Sequence, residues 1–280
     1  MTFQQLRQQI TLALTENHCP DARSVVTYLV CDTMNWTTAQ MLMHDADIVS
    51  SEIISTLSNA TNLLVKDVPL QYVTHKAYFC GHTFYVDNNV LIPRPETEQL
   101  VGLAIEKAPQ GTLLDIGTGS GCIALSIKMA RPDIDVSAID VSEDALAVAQ
   151  KNMQQHGIEV TFSHVDILSH NIHLGTFDTI VSNPPYICHK EKAQMHRNVL
   201  CYEPHTALFV PDEDPLLFYR IIAKLGCEGL LSDNGLLLFE INEAYSNEVM
   251  QMMLDEGYTS VERHKDIYGK WRICEGRWKE

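Results

Sequence analysis

Apolar residues recur every three to four positions over the first part of the chain and gather into short unbroken runs over the rest. Phe3, Leu6, Ile10 and Leu14 share one helical face, and Ile53, Leu57, Ala60 and Leu64 repeat the spacing after Asp47, the cap candidate. Val25, Val26, Leu29 and Val30 predict another helix between them. Residues 1–68 are therefore expected to form a small all-helical domain. From Pro69 the texture turns aromatic and β-branched. Tyr72-Val73, 77–80 and 83–86 predict short strands around a Cys80-Gly81-His82 turn, so a β-hairpin and an extended connector are expected over 69–95. Prolines stiffen Leu91-Ile92-Pro93-Arg94-Pro95-Glu96-Thr97-Glu98 until a helix opens around Glu96. Its density of Pro, Arg and Glu marks the connector as a loop that also lines a site.

Beyond Gly111 strands alternate with helices. Strands are predicted at 112–116, 134–139, 160–164, 177–182 and 236–241, and helices at 121–131, 142–155, 214–231 and 243–256. Such alternation implies a parallel sheet with helices on both faces, here over 96–280. Segments 258–264 and 270–275 read as a closing antiparallel pair.

Composition narrows the class. The chain has 280 residues and a formal charge of −16, with 5 basic and 8 acidic side chains in 1–95 against 15 and 28 in 96–280. Nucleic acid is bound largely through phosphates, so this balance argues against stable nucleic-acid binding. No uncharged apolar run approaches the ~18 residues of a membrane span, and residues 1–10 lack a signal peptide's apolar core. Eight cysteines without a Cys-x-x-Cys pair suit reduced thiols and a cytoplasmic setting.

Candidate chemistry gathers at predicted strand ends. Two prolines must end the run 177–182, which leaves Asn183 at a carboxyl end, where open α/β sheets hold ligands. In Asn183-Pro184-Pro185-Tyr186 the Asn183 side-chain oxygen and the Pro184 carbonyl offer two acceptors to one NH2 group, and the Tyr186 ring offers a flat face. The same residues also make an ordinary strand-ending turn. Upstream, Asp115-Ile116-Gly117-Thr118-Gly119-Ser120-Gly121 follows a strand and opens a helix. A dinucleotide fingerprint would need glycine where Cys122 stands, and the G-x-G-x-G spacing is instead that of S-adenosylmethionine sites. Asp140 ends the next strand, 23 residues after Gly117, at the place of a ribose-binding carboxylate. Asp166 and Ile167 follow the third strand, where an adenine edge falls. Each acid also reads as a helix cap, a task Ser142 could take from Asp140.

No metal site is expected. His18 and His44 are isolated, and His170-x-x-His173 lacks a third ligand. His189 and His196, with Cys188 and Cys201, mark a mobile loop on the substrate side. Glu203-Pro204 belongs to the same wall, and Arg272 anchors the closing hairpin.

Glycine loop, ribose acid and Asn-Pro-Pro-Tyr, in that order, resemble the class I methyltransferases that act on a planar nitrogen. With Pro69-Leu-Gln-Tyr72, the 91–98 connector, Glu203-Pro204-His-Thr-Ala-Leu208 and Asp266-x-x-Gly269-x-x-Arg272, the chain from about residue 69 is similar to the release-factor glutamine N5-methyltransferases of the HemK/PrmC type. Before that point it matches only in helix content and length. Two positions depart from the pattern: Val-Thr-His75 replaces the usual glycine, and Ile167 stands where an aromatic is common. The resemblance implies a Rossmann-like domain with a mostly parallel seven-stranded sheet, preceded by a substrate-recognising helical domain and a hairpin hinge. It implies S-adenosylmethionine held by Gly117 to Gly121, Asp140, Asp166, Ile167 and Asn183. It also implies a catalytic role for Asn183, Pro184 and Tyr186, with Pro185 beside the substrate. The expected substrate is the Gly-Gly-Gln glutamine of class I peptide-chain release factors, and the expected enzyme is a monomer. The alternative reading is an adenine-N6 or guanine-N2 nucleic-acid methyltransferase.

Overall fold

The computed structural model describes residues 1–169 and 172–279. Contacts divide the chain into two units, Met1–Lys76 with His196–Tyr202, and Ala77–Met195 with the chain from Glu203 onward. The division thus falls at 76/77 rather than 68/69, and a short later segment joins the first unit.

The first unit contains α1 (Phe3–Glu16), α2 (Ala22–Met34), α3 (Thr38–Met43), α4 (Ser51–Leu64) and α5 (Leu70–Thr74). Thr2 and Gln5 close a reciprocal capping box at the start of α1, whose Phe3, Leu6, Ile10 and Leu14 are all buried. Leu57 and Leu64 of α4 join the same apolar core, with Ile53 and Ala60 packed at its margin. The cap of α4 is Ser50, not Asp47: the Ser50 Oγ accepts the Ile53 N–H at 3.3 Å, while Asp47 pairs with His44 at 2.6 Å. Tyr72 and Val73, expected as strand, lie in α5. Pro69 presets the first turn, and its carbonyl accepts both N–H groups at 3.0 and 3.1 Å, which overrides their β preference.

In the second unit β1 (Ala77–Phe79) and β2 (His82–Phe84) form the expected antiparallel hairpin. A 3-10 turn at Pro95–Thr97 leads into α6 (Glu98–Lys107). There follow β3 (Thr112–Ile116), α7 (Cys122–Ala130), β4 (Asp135–Asp140), α8 (Glu143–His156), β5 (Thr161–His164), β6 (Phe177–Ser182) and β7 (Ile187–Cys188). Helix α9 (Arg197–Tyr202) belongs to the first unit, where the Tyr202 hydroxyl donates to the Lys66 carbonyl at 2.6 Å. The chain continues with β8 (Phe209–Val210), α10 (Leu217–Leu225), β9 (Leu231–Glu240), α11 (Ser246–Asp255), β10 (Thr259–Lys265) and β11 (Trp271–Arg277).

Among the described residues the main sheet has seven strands in the order β10-β11-β9-β6-β3-β4-β5. The five central and far strands run parallel, and β11 lies antiparallel to both β9 and β10. Successive residues of β3 feed opposite cores: Leu113 packs with α6 and α7, Leu114 with α10 and α11. Both are fully buried, worth about 1.5–3 kcal/mol each against exposure. The helix expected to reach 231 stops at Leu225, followed by a π turn at Gly226–Leu230. Gly226 is needed there, since a Cβ would stand 2.2 Å from the Tyr258 hydroxyl.

Candidate active site

Strand register assembles the site. Ile116 of β3 pairs with Ile139 of β4 on one side and Ser182 of β6 on the other. The residues that follow, Gly117, Asp140 and Asn183, therefore leave the sheet side by side, where the strand order reverses. Asp140 in turn pairs with His164 of β5, which brings in Val165, Asp166 and Ile167. Ser182 pairs with Phe239 of β9, so Glu240 emerges next to Asn183. These strand ends border a cleft lined by Gly117, Gly119, Asp140, Asp166, Ile167, Asn183, Pro184 and Pro185.

The glycine loop is held at both ends. Gly117 and Thr118 donate N–H groups to the Ile139 carbonyl at 2.9 and 3.0 Å. Gly117 and Gly119 have φ of +77° and +53°, and a Cβ on either would meet nothing within 4 Å, so bare backbone faces the cleft. Thr118, Ser120 and Gly121 do not line it. The Thr118 hydroxyl instead donates to Asp115 Oδ2 at 2.7 Å, deep under the loop. Burial pushes the Asp115 carboxyl up to about 7, against the opposing effect of that hydroxyl. Gly121 serves packing, since a Cβ there would press on Ala149 and Leu125 at 3.1 Å. The Asn152 amide, fully buried on α8, donates to the carbonyls of Ser120 and Tyr85 at 2.9 Å each.

Asp140 accepts the Gly119 N–H at 2.8 Å and the Ser142 N–H at 3.0 Å. Ser142 performs the capping of α8, through the Ala145 N–H at 3.1 Å, and leaves the acid to the cleft. Asp166 accepts the Leu168 N–H at 2.9 Å and lines the cleft beside Ile167, Val165 and Phe218.

The connector is pinned by an acid from the far side of the Asn-Pro-Pro-Tyr loop. Glu203, 4% exposed, accepts the Ile92 N–H at 3.2 Å and the Arg94 guanidinium at 2.6 Å. Asn89, Val90 and Leu91 form one wall of the cleft, while Pro204, Thr206 and Ala207 also line it.

Two residues stand behind Asn183: Thr97, from the connector expected to line the site, and Glu240, which belongs to no motif. Glu240 is 1% exposed and accepts the Thr97 hydroxyl at 2.6 Å and the Tyr186 hydroxyl at 3.0 Å. Asn183 Nδ2 reaches Thr97 Oγ1 at 3.4 Å. Burial pushes the Glu240 carboxyl up, opposed by the two hydroxyls and the Arg272 charge. A single acid at the end of the apolar run Leu236-Leu237-Leu238-Phe239 was the available signal, because a buried carboxylate requires partners. Tyr186 itself is not among the residues lining the cleft. Its ring packs against the core under α10 and α11, and burial pushes its hydroxyl pKa well up. Arg272 reaches Asp266 at 3.2 and 3.3 Å, and Asp266 also accepts the N–H groups of Tyr268 and Lys270 in the hairpin turn.

The histidines and cysteines considered above do not converge. His189 stacks on Phe209, Cys188 lies buried 3.5 Å from the Tyr245 hydroxyl, and His196 and Cys201 fall in the first unit. His170 lies outside the described residues. Among those residues, the one group spaced for a metal is Glu262, His264 and Glu275 on the β10–β11 pair, where Lys107 also bonds Glu275.

The release factor glutamine methyltransferase of Bacteroides thetaiotaomicron is 46% identical over 267 residues, 94% of this chain and 96% of the relative. The chain belongs to the release factor glutamine methyltransferases. The Flavobacterium psychrophilum member of that family is 46% identical over 216 residues, 75% of each chain. The Methyltransferase small domain family matches residues 96–207, and the PrmC N-terminal domain family matches residues 5–74. The second match carries the relationship across the helical unit, which by sequence motif agreed only in helix content and length. A methyltransferase from Pyrococcus furiosus shares the fold, at a TM-score of 0.52 and 21% identity over 70% of this chain and 89% of that one.

The cofactor of this methyltransferase is S-adenosylmethionine, and the cleft suits it. Bare backbone at Gly117 and Gly119 admits close approach, and Asp140 keeps lone pairs for hydroxyl donors. Val165, Ile167, Phe218 and Ile222 give the cleft an apolar part for a flat base.

Proposed function

We propose that this chain methylates the side-chain amide nitrogen of the glutamine in the Gly-Gly-Gln motif of class I release factors. The observation that carries the reading is the position of Asn183-Pro184, at the end of β6 beside the glycine loop, with both residues lining the cleft. Asn183 Oδ1 and the Pro184 carbonyl are the two acceptors that a glutamine NH2 needs. By taking one N–H each, they orient the nitrogen and draw out its delocalised lone pair. They also stabilise the positive charge that develops there. The cofactor supplies an already activated methyl group, so the protein's task is to position the nitrogen in line with it. The proton can leave afterwards to water, and no dedicated base is assigned. Gly117, Gly119, Asp140, Asp166 and Ile167 hold the cofactor, and Pro185 flanks the substrate. Thr118, Ser120 and Gly121 shape the loop from beneath, and Tyr186 braces the tetrapeptide through Glu240. The helical unit recognises the protein substrate, and the enzyme acts as a monomer in the cytoplasm, without stable nucleic-acid binding.

Transfer from labelled cofactor to release factor, bulk RNA and DNA in parallel tests this. Label is expected in release factor and absent from a release factor with glutamate at the motif glutamine, since a carboxylate has no N–H to offer. Asn183→Ala leaves an N–H unpaired and is expected to lose ~2–4 kcal/mol of transition-state stabilisation, on the order of 30- to 1000-fold in rate. Methylation of adenine in nucleic acid, with release factor untouched, would overturn the proposal.

A further inference from the structure

We infer that Thr97 and Glu240 are positioning residues that decide which end of the Asn183 amide faces the cleft. The inference rests on the reading of Asn183 Oδ1 as the substrate's acceptor. An amide carries a donor and an acceptor at nearly identical positions, and a half-turn about its last bond exchanges them. An Asn183 with its NH2 group in the cleft would repel the substrate N–H it is meant to receive. Something must therefore fix the orientation before substrate arrives.

Proton counting identifies what does. Glu240, as a carboxylate, only accepts. It sits at the end of β9 beside Asn183, and Tyr219 steadies that strand end by donating to the Glu240 carbonyl at 3.1 Å. The Tyr186 hydroxyl gives its one proton to Glu240 Oε1 at 3.0 Å, and the Thr97 hydroxyl gives its own to Oε2 at 2.6 Å. Thr97 has then no proton left, and toward Asn183 it presents lone pairs alone. Only the NH2 end can face them, and Nδ2 does so at 3.4 Å. Turning the amide over would set its oxygen against the Thr97 lone pairs within a site where Thr97 is 2% exposed. The chain of donors thus runs Asn183 to Thr97 to Glu240, and it leaves Oδ1 for the cleft. The connector and β9, far apart in sequence, meet at this one hydroxyl.

Three variants test the polarity. Thr97→Val keeps the shape and removes the hydroxyl; kcat on release factor is expected to fall roughly 10- to 100-fold, as for a misplaced reacting group. Calorimetric cofactor affinity is expected to hold, which also certifies the fold. Thr97→Ser restores the hydroxyl and is expected to recover most of that loss, which a purely steric role for Thr97 would not predict. Glu240→Gln keeps one acceptor and sets an NH2 group against either the Thr97 or the Tyr186 hydroxyl, so the chain of donors loses its single polarity; kcat is expected to fall with cofactor affinity retained. A readout independent of turnover is the 15N-resolved Asn183 side-chain NH2. One of its protons is expected to exchange slowly in the wild-type protein and fast in Thr97→Val. Normal turnover by Thr97→Val, no recovery by Thr97→Ser, or equal exchange in both proteins overturns the inference. Wild-type protein inert on release factor would instead sink the functional reading, and the exchange measurement would still decide the polarity.

Discussion

Asp140 performs two tasks with one carboxylate, and replacing it separates them. Its two oxygens each accept a backbone N–H, from Gly119 at 2.8 Å and Ser142 at 3.0 Å. Hydrogen bonds to a charged group contribute about 1.5–3 kcal/mol when well shielded, so for this half-buried acid about 2 kcal/mol for the pair is a fair expectation. Asp140→Ala should therefore lower the unfolding free energy of the ligand-free protein by about that amount, read as a lower urea midpoint at unchanged slope. Lost ribose contacts add ~1–3 kcal/mol to cofactor binding, a dissociation constant roughly 5- to 150-fold weaker. The loosened Gly119 must be reordered on binding, which places the result toward the upper end. Asp140→Asn keeps one acceptor and turns an N–H toward a backbone N–H, so it should fall between wild type and alanine in both measurements. Calorimetric titration together with urea unfolding checks the argument. If Asp140→Ala lost stability yet bound cofactor with unchanged affinity, the carboxylate would serve the loop alone and its assignment to ribose would be wrong.

Asp115, pushed up to about 7 by burial, holds its proton in the fold at pH values where the unfolded chain has released it. The folded state then binds more protons, so ligand-free stability should decline as pH rises from about 4 toward 7. In Asp115→Asn the decline should flatten, and an unchanged pH slope in chemical unfolding would count against the buried acid as its source. Gly226→Ala sets a Cβ 2.2 Å from the Tyr258 hydroxyl and should cost about 1–3 kcal/mol by overpacking; adding Tyr258→Phe should return part of that in the urea midpoint. A chain starting at Ala77 should keep cofactor binding yet methylate whole release factor poorly. Loss of cofactor binding by such a chain, with its sheet intact by circular dichroism, would refute the division of labour between the units.

The sheet was legible because its strands announce themselves locally. The run 177–182 and the segment 112–116 coincide with β6 and β3, since buried parallel strands are continuous apolar stretches bounded by turn residues. Boundaries failed where a non-local partner decides. Nothing near Gly226 shows that Tyr258 will crowd it, so the pattern predicts a helix that runs on to 231. Proline chemistry at 69 outweighed the aromatic and β-branched character of Tyr72 and Val73. The site was legible as a set of strand ends, but the register that brings Glu240 to Asn183 spans two strands far apart in sequence. For the same reason nothing near Tyr186, whose ring reads as a flat face for a planar group, shows that Glu240 will take its hydroxyl proton.

The strand order also bears on how the chain is made. β9 emerges from the ribosome with β6 already available on one side, but its other neighbour, β11, begins only at Trp271. Until then α11 and β10 must be synthesised while the open edge of β9, apolar from Leu236 to Phe239, stays unpaired. An uncovered apolar edge is a template for pairing with other chains. Late completion of the sheet therefore makes the nascent chain most vulnerable to aggregation just before β11 appears. Substitutions that weaken the β11 strand should reduce the yield of soluble protein more than they reduce the activity of the molecules that fold.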